Sequence, residues 1–416
     1  MLQSGAQSWQ RTTFGALILA TLAGAALLSI TLLAGTKTGL VLGLGAVAGP
    51  VLLYAAIVAP MIFPFCLYVV LVPFDNVLNV SAFGTLTKML GIVSGAAILF
   101  FLLRTHRAVR PPRELLIFYG LYFWMALTAF WAIDPPTVFA LLPTAISLLV
   151  LYTAICVFPA DDRSVRWVAL STIAGGVVAA GYGAYLFHAG MDVAGARLWI
   201  TTDTSAIDPN HFAAALLLPT ALSVAIAMYA RRPLVVVVAI AAALMLLVGV
   251  AESGSRGAAI GVGVMFLYMF LRSSRKFRLG LAGVPIAIGV AITSIQTPIW
   301  NRFSDAVSSG GSGRLPIWKV GISALKEHWL LGAGYNNFAF AYDQVLMQTH
   351  QFAFEKWHRA PHDIFIATSV ELGVVGMVLM LALWISQFRM LRSIPPNDPD
   401  YPIRLACEAT VLATFV

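Results

Sequence analysis

The chain has 416 residues, 60% of them hydrophobic and 11% charged, with a formal net charge of +8. Soluble globular domains carry about 25% charged residues, so a chain this apolar cannot keep a soluble surface. Nucleic-acid binding is the poorer explanation of the positive charge, because no basic-aromatic module of a recognised kind accompanies it.

A membrane-spanning helix needs about 20 predominantly apolar residues. The first apolar run, 14–34, is too long for a signal-peptide core and lacks a clear cleavage site, so it reads as the first span. Further spans are read at 39–56, 58–73, 84–103, 114–131, 137–158, 166–188, 211–229, 233–250, 257–271, 279–296 and 363–388. Another apolar stretch begins near Ile403. The expected fold is all-α, a polytopic membrane bundle of about 12 helices. Its divisions are a short N-terminus (1–13), the main bundle (14–296), a long loop (297–361) and a C-terminal span with a following segment (362–416). Cys66, Cys156 and Cys407 sit in or beside apolar runs without metal-ligand spacing, and read as small core residues.

Lys and Arg in short loops set the direction of the spans. With the N-terminus inside, the inside loops hold Arg104, Arg107, Arg110 and Arg113, then Arg163 and Arg166, then Arg231 and Arg232. Arg272, Arg275, Lys276 and Arg278 follow, and Arg389 and Arg392 come last. Every strongly basic short loop falls on one side, so the net charge is mainly a topology signal.

The opposite side carries the polar groups that could do chemistry. The loop 297–361 is far longer than an ordinary connection. Within it, 315–329 reads as a helix, 331–337 as a turn and 338–356 as a second helix, together a lid over the outer membrane surface. Asp208 before Pro209 suits a helix start, with Asp as N-cap and Pro in the first turn. Arg197, Asn210, His211, Arg256, Arg314, His358 and His362 all lie on this side.

Arginine presents planar, always-charged donors that match phosphate oxygens. A histidine near its ordinary pKa can accept a proton at neutral pH. Arginines with a histidine at one membrane face therefore suggest group transfer with a phosphate leaving group. Each residue also has a plainer reading. Arg197 could pair with Asp192 or Asp203, Arg256 with Glu252, and Arg314 could be a solvated loop residue. His211 reads more simply as an ordinary helix-end residue. His358 and His362 are four apart, but Pro361 lies between them and no third ligand is evident, so a metal site is disfavoured. Lys88 and Glu371 lie within apolar segments and need partners.

An ordered set of short strings runs through the chain. These are Ser255-Arg256-Gly257, Gly313-Arg314 with Trp318, Gly332-Ala-Gly334-Tyr-Asn-Asn-Phe338, His362-Asp-Ile-Phe-Ile366 and Glu371-Leu-Gly-Val-Val-Gly376. With Trp131-Ala-Ile-Asp-Pro135 and Asp208-Pro-Asn210-His-Phe upstream, the set resembles the domain shared by O-antigen ligases and O-antigen polymerases. The resemblance covers roughly 120–390.

That resemblance implies a GT-C-like membrane glycosyltransferase of the bacterial inner membrane, acting on the periplasmic face. The donor would be a glycan on undecaprenyl diphosphate, and the acceptor, for a ligase, a sugar hydroxyl of lipid A-core. It places the essential histidine at His362 and the essential arginines at Arg197 and Arg256, with Arg314 as a third. Asn210 belongs to the substrate-binding set. The mechanism so implied is inverting, with His362 as base. No cofactor is expected, and the lack of an Asp-rich divalent-metal motif points to metal independence. Polymerase, protein O-oligosaccharyltransferase and, in a different class, a lipid or ion transporter are the competing readings. Lys319, Lys326, Lys356 and Arg359 in and beside the lid could face a phosphate-rich lipid A-core, which favours the ligase.

Overall fold

The computed structural model describes residues 49–75, 78–80, 84–190, 197–198, 200, 208–276, 280, 283, 314–348 and 357–415. The span expected at 14–34, the stretch 308–313 and nearly all of 279–296 lie outside the described residues. The described chain is helical apart from a short antiparallel ladder, β1 (Asn79–Val80) with β2 (Gly84–Thr85).

The helices run in order α1 (Gly49–Val58), α2 (Phe65–Leu71), α3 (Leu86–Thr105), α4 (Glu114–Leu127) and α5 (Pro135–Val157). Next come α6 (Asp162–His188), α7 (Pro209–Ala215), α8 (Leu217–Tyr229), α9 (Pro233–Glu252) and α10 (Arg256–Arg272). The last four are α11 (Arg314–His328), α12 (Phe338–Gln348), α13 (Ile364–Arg392) and α14 (Tyr401–Ala413). Six segments are long and apolar enough to cross a membrane: α3, α5, α6, α7 with α8, α9 and α13. The protein is thus a multi-pass helical membrane protein, and the expectation of about 12 spans includes segments that lie outside the described residues. The span expected at 58–73 is instead a turn at 60–64 followed by the short α2, because Pro60 and Pro64 interrupt helical hydrogen bonding. The span expected at 211–229 is divided by a break at Leu216.

The burial pattern separates inner from outer helices. Of the span formed by α7 and α8, 72% is buried inside the protein, against 17% for α5, so α8 is central and α5 peripheral. Around α8, the helices α9, α10 and α14 close a core of Leu217, Val224, Met228, Met265, Met269 and Leu405. Small residues let backbones approach elsewhere: a Cβ on Gly175 of α6 would lie 2.5 Å from the Val70 carbonyl of α2. Such close approach is the usual basis of helix association in lipid.

The chain path sorts the helix ends into two sets. Arg104, Arg113, Arg163, Arg166, Arg231, Arg232, Arg272 and Arg392 all lie at or beside ends that share one side of the bundle. Contacts across that side support the grouping: Arg166 approaches Asp400 at 4.0 Å, and the Tyr401 hydroxyl donates to the Arg272 carbonyl. The start of α5, the starts of α7, α10 and α13, and the end of α9 form the other side.

On that other side, α11 and α12 pack on α13 through Ile317, Val320, Ala324, Phe338, Tyr342 and Val370. The expected helix 315–329 is α11, while the second lid helix ends at Gln348 rather than at 356 and 349–356 lie outside the described residues. Between the two helices, the segment 330–337 is wedged against the bundle. Ala333 and Gly334 donate their backbone N–H groups to the carbonyls of Val370 and Glu371. The Ile133 N–H reaches the Ala333 carbonyl, and the Tyr335 N–H reaches Thr128 Oγ1. Asn337, fully buried, accepts from the Asp134 N–H at 2.6 Å and donates to the carbonyls of Asp134 and Tyr335. Glu371 finds its partners here: its carboxylate accepts from the N–H groups of Asn336 and Phe338 at the start of α12. A carboxylate at a helix N-terminus satisfies donors that have no partner within the helix.

Glycine is needed at two points of this joint. Gly373 interrupts α13 with φ 64° and ψ −167°, a conformation essentially confined to glycine. Gly332 has φ 81°, and a Cβ there would lie 2.2 Å from the Glu371 carbonyl oxygen.

Candidate active site

On the side away from the arginine-rich ends, a cavity of about 630 Å³ opens between the starts of α7, α10, α11 and α13 and the end of α14. Asp208, Asn210, His211, Arg314 and His362 supply its polar lining, and Ser255 and Gly257 its floor. Ala413 and Thr414, just at the end of α14, close one wall. The sequence reading missed this last contribution, since a weakly polar helix end carries no chemical signal of its own.

His362 is held from two directions. On its C-terminal side, Asp363 is the N-cap of α13 and accepts from the Ile366 N–H at 2.8 Å. On its N-terminal side, the Pro361 carbonyl accepts from the Trp318 indole N–H of α11 at 3.1 Å. His362 itself has φ 50°, a left-handed conformation that histidine tolerates better than most residues. The bend between these two anchors turns its ring into the cavity lining. Partial desolvation there, together with the positive charge of Arg314, pushes the imidazole below its ordinary pKa of 6.5. Asp208 pulls the other way and Arg359 and His211 add to the lowering, so the balance favours the neutral ring. A neutral imidazole at pH 7 is a proton acceptor.

Arg314 is the first residue of α11 and lines the cavity directly. Asp208 caps α7 as expected, accepting from the Asn210 N–H at 2.7 Å. Burial works against its charge, but the N–H donors of Asn210 and His211 and the His211 charge outweigh that and hold its carboxyl below the usual value.

Arg197 and Arg256 are not in the cavity lining. Arg197 stands one layer behind it: its Nε donates to the Ser253 carbonyl at 2.7 Å and its guanidinium donates to Asn210 Oδ1 at 3.1 Å. The neighbouring Leu198 is buried, and its N–H reaches the Glu252 carbonyl. Arg197 thus braces Asn210 against the end of α9. The alternative pairings with Asp192 and Asp203 fall outside the described residues. Arg256 begins α10 between the lining residues Ser255 and Gly257, with Ser255 as N-cap. Pairing of Arg256 with Glu252 is not what the structure shows, because Glu252 Oε1 lies 3.0 Å from His188 Nε2 and Oε2 has no hydrogen-bond partner among the described residues. The sequence reading offered this buried acid to Arg256, and the structure gives it to His188 instead.

The other motif residues have different work. His358 packs its ring edge on Phe340 and places Nδ1 3.2 Å from Asp343, so it belongs to the lid rather than to the cavity lining. Trp131, Asp134, Gly332, Gly334, Asn337 and Glu371, prominent in the family-like strings, build the joint that seats the lid. His362 and Arg314 are thereby mounted on two elements, α13 and α11, that the joint locks together.

Comparison with known proteins adds one match. The family model described as O-Antigen ligase covers residues 240–381, a stretch that includes Arg256, Arg314 and His362 and leaves out Arg197 and Asn210. No curated protein matches the chain.

Proposed function

As a member of the O-antigen ligase/polymerase family, this membrane glycosyltransferase-like protein works, we propose, as a ligase that moves a glycan from undecaprenyl diphosphate to a sugar hydroxyl of lipid A-core. The observation that carries the reading is that His362 and Arg314 line one cavity large enough for a reacting sugar and its leaving phosphate, with burial and the Arg314 charge lowering the His362 pKa. The cavity lies on the side away from the arginine-rich ends, and the positive-inside rule supports reading that side as periplasmic.

In this reading His362 takes the proton of the acceptor hydroxyl as its oxygen attacks the anomeric carbon. The bond from that carbon to the diphosphate oxygen breaks on the opposite face, and undecaprenyl diphosphate leaves with the electron pair. The product is inverted, and no sugar is attached to the protein. Arg314 supplies charge to the departing phosphate from the lining itself. Arg256, outside the lining but between the lining residues Ser255 and Gly257 at the start of α10, would have to reach inward to serve as the second phosphate ligand. Arg197 acts at one remove, through Asn210, whose amide stays directed into the cavity. No step calls on a metal or cofactor. Lys319 and Lys326 are exposed on α11, where they suit the phosphate-rich acceptor.

The test is made in cells lacking their own O-antigen ligase. Expression of this chain is expected to restore a high-molecular-weight lipopolysaccharide ladder. Lengthened lipid-linked glycan with unmodified lipid A-core would instead identify a polymerase, and neither product from well-folded protein would refute both.

The charge around His362 also predicts a pH response. A base must be unprotonated, so kcat/KM falls as pH drops through the His362 pKa, and the acid limb lies below 6.5. Arg314→Gln removes the leading charge that holds this pKa down, so the limb should move up toward 6.5 as the overall rate declines. An unmoved limb in a rate profile of the variant would separate Arg314 from His362.

A further inference from the structure

Lys88 lies in the first turn of α3 and has no role in the cavity around His362. Its Nζ donates to Thr144 Oγ1 of α5 at 3.0 Å, and among the described residues it forms no ion pair. A cation in an apolar span is costly unless something complements its charge, and a single hydroxyl complements it poorly. Beside it is a second cavity, about 320 Å³, between α2, α3 and α5. That size is at the lower end of the roughly 300–1,000 Å³ of small-molecule sites.

The donors that face this cavity can be counted. Thr85 gives its hydroxyl proton to Asp75 at the rim, Thr87 to the Leu71 carbonyl and Ser147 to the Thr144 carbonyl. Left for a ligand are the remaining N–H groups of Lys88, the Thr144 hydroxyl and the Tyr68 hydroxyl, which makes no hydrogen bond among the described residues. Gly91 keeps that ring in place, since a Cβ there would meet Tyr68 Cε2 at 3.2 Å. The one acid in the lining, Asp75, is exposed and tied to the Thr85 hydroxyl, and the cation with two hydroxyl donors that remains is a phosphate-binding set.

The rest of the cavity is apolar and reaches the outer surface. Ile92 of α3 and Leu148 of α5 both line it, and they are 54% and 43% exposed. A polar end that passes sideways into exposed apolar surface fits a molecule with a phosphate head and hydrocarbon tails. We infer that the cavity between α2, α3 and α5 holds the phosphate headgroup of a membrane lipid on Lys88, Thr144 and Tyr68, with its acyl chains along Ile92 and Leu148. Lys88 is at the end of α3 away from Arg104, so the bound headgroup sits on the same side as His362. The site shares no lining residue with the His362 cavity.

The inference does not depend on transferase activity, because binding is read without donor or acceptor. The full chain is purified, stripped of lipid, and titrated by native mass spectrometry with phosphatidylglycerol, with diacylglycerol of the same chains, and with inorganic phosphate. Lys88→Met is expected to weaken phosphatidylglycerol binding about tenfold, and Lys88→Arg to retain it. Ser147→Phe, which fills the cavity and leaves Lys88 in place, should show the same loss. Equal binding by wild type, Lys88→Met and Ser147→Phe would overturn the site. Diacylglycerol bound as tightly as phosphatidylglycerol would overturn the role of the phosphate. Inorganic phosphate bound as tightly as the lipid would overturn the role of the chains.

Discussion

Replacing His362 by alanine is expected to lower the rate of glycan transfer by about 10²–10⁴-fold, the usual contribution of a positioned general base. The loss should appear in kcat, with the KM for the lipid-linked donor nearly unchanged, because His362 acts on the acceptor hydroxyl. Thermal stability should be preserved. The ring lines an open cavity, and the neighbouring restraints, the Asp363 cap and the Trp318 to Pro361 hydrogen bond, do not use it. Alanine must still adopt φ 50°, so a small loss of stability is allowed for. His362→Asn tolerates that conformation better and cannot accept the proton, which makes it the cleaner variant. Purified protein with either substitution that transfers glycan at half the wild-type rate or more would remove His362 from the chemistry.

Gly373→Ala should produce the largest structural effect. Its φ of 64° and ψ of −167° lie where non-glycine residues pay on the order of 1–3 kcal/mol in strain alone. A Cβ there would also stand 2.2 Å from the Leu330 carbonyl oxygen and 2.7 Å from the Gly332 nitrogen, both backbone atoms with no side-chain freedom. Strain and clash together should exceed ~3 kcal/mol, enough to place the substitution among severe ones. The lid joint is what gives way: Val374 donates to the Trp329 carbonyl, and Trp124 Nε1 to the Leu372 carbonyl, on either side of the bend. The expected readout is a fall of roughly 5 °C or more in the temperature at which detergent-solubilised protein survives heating. Val374→Ala, on the exposed neighbour, serves as the control. A Gly373→Ala protein as heat-resistant and as active as wild type would show that the bend does not hold the lid.

Much of the fold was legible in the sequence because hydropathy and loop charge report directly on how a helix meets a membrane. The Asp208 cap with Pro209, the lid helix near 315–329 and the sidedness of the arginines follow from local signals. The breaks at 60–64 and Leu216 were harder, since an apolar run gives the same hydropathy whether or not a bend interrupts it. In the site, His362, Arg314 and Asn210 line one cavity as a chemical reading of residue types would place them. Arg197 was assigned to the substrate but stands behind Asn210, a distinction between contact and bracing that no linear pattern encodes. The same holds for Asn337, whose partner Asp134 is 203 positions away. Lys88 and Glu371 looked alike in sequence, each an ion in an apolar run. The structure separates them: Glu371 is met by backbone donors, and Lys88 by a hydroxyl and a cavity.

The wall that Ala413 and Thr414 give to the His362 cavity bears on how the protein is made. A ribosome that has released residues 208–272 has already delivered Asn210 and Ser255 into the bilayer, yet their cavity lacks three sides. Arg314 and His362 arrive next, and the enclosure is complete only when α14 inserts beside α8 and α10. A nascent or truncated chain therefore presents arginines without an enclosed reaction space. Among the described residues, α14 is the last element in chain order to reach this cavity, so the space around His362 takes its shape late in synthesis.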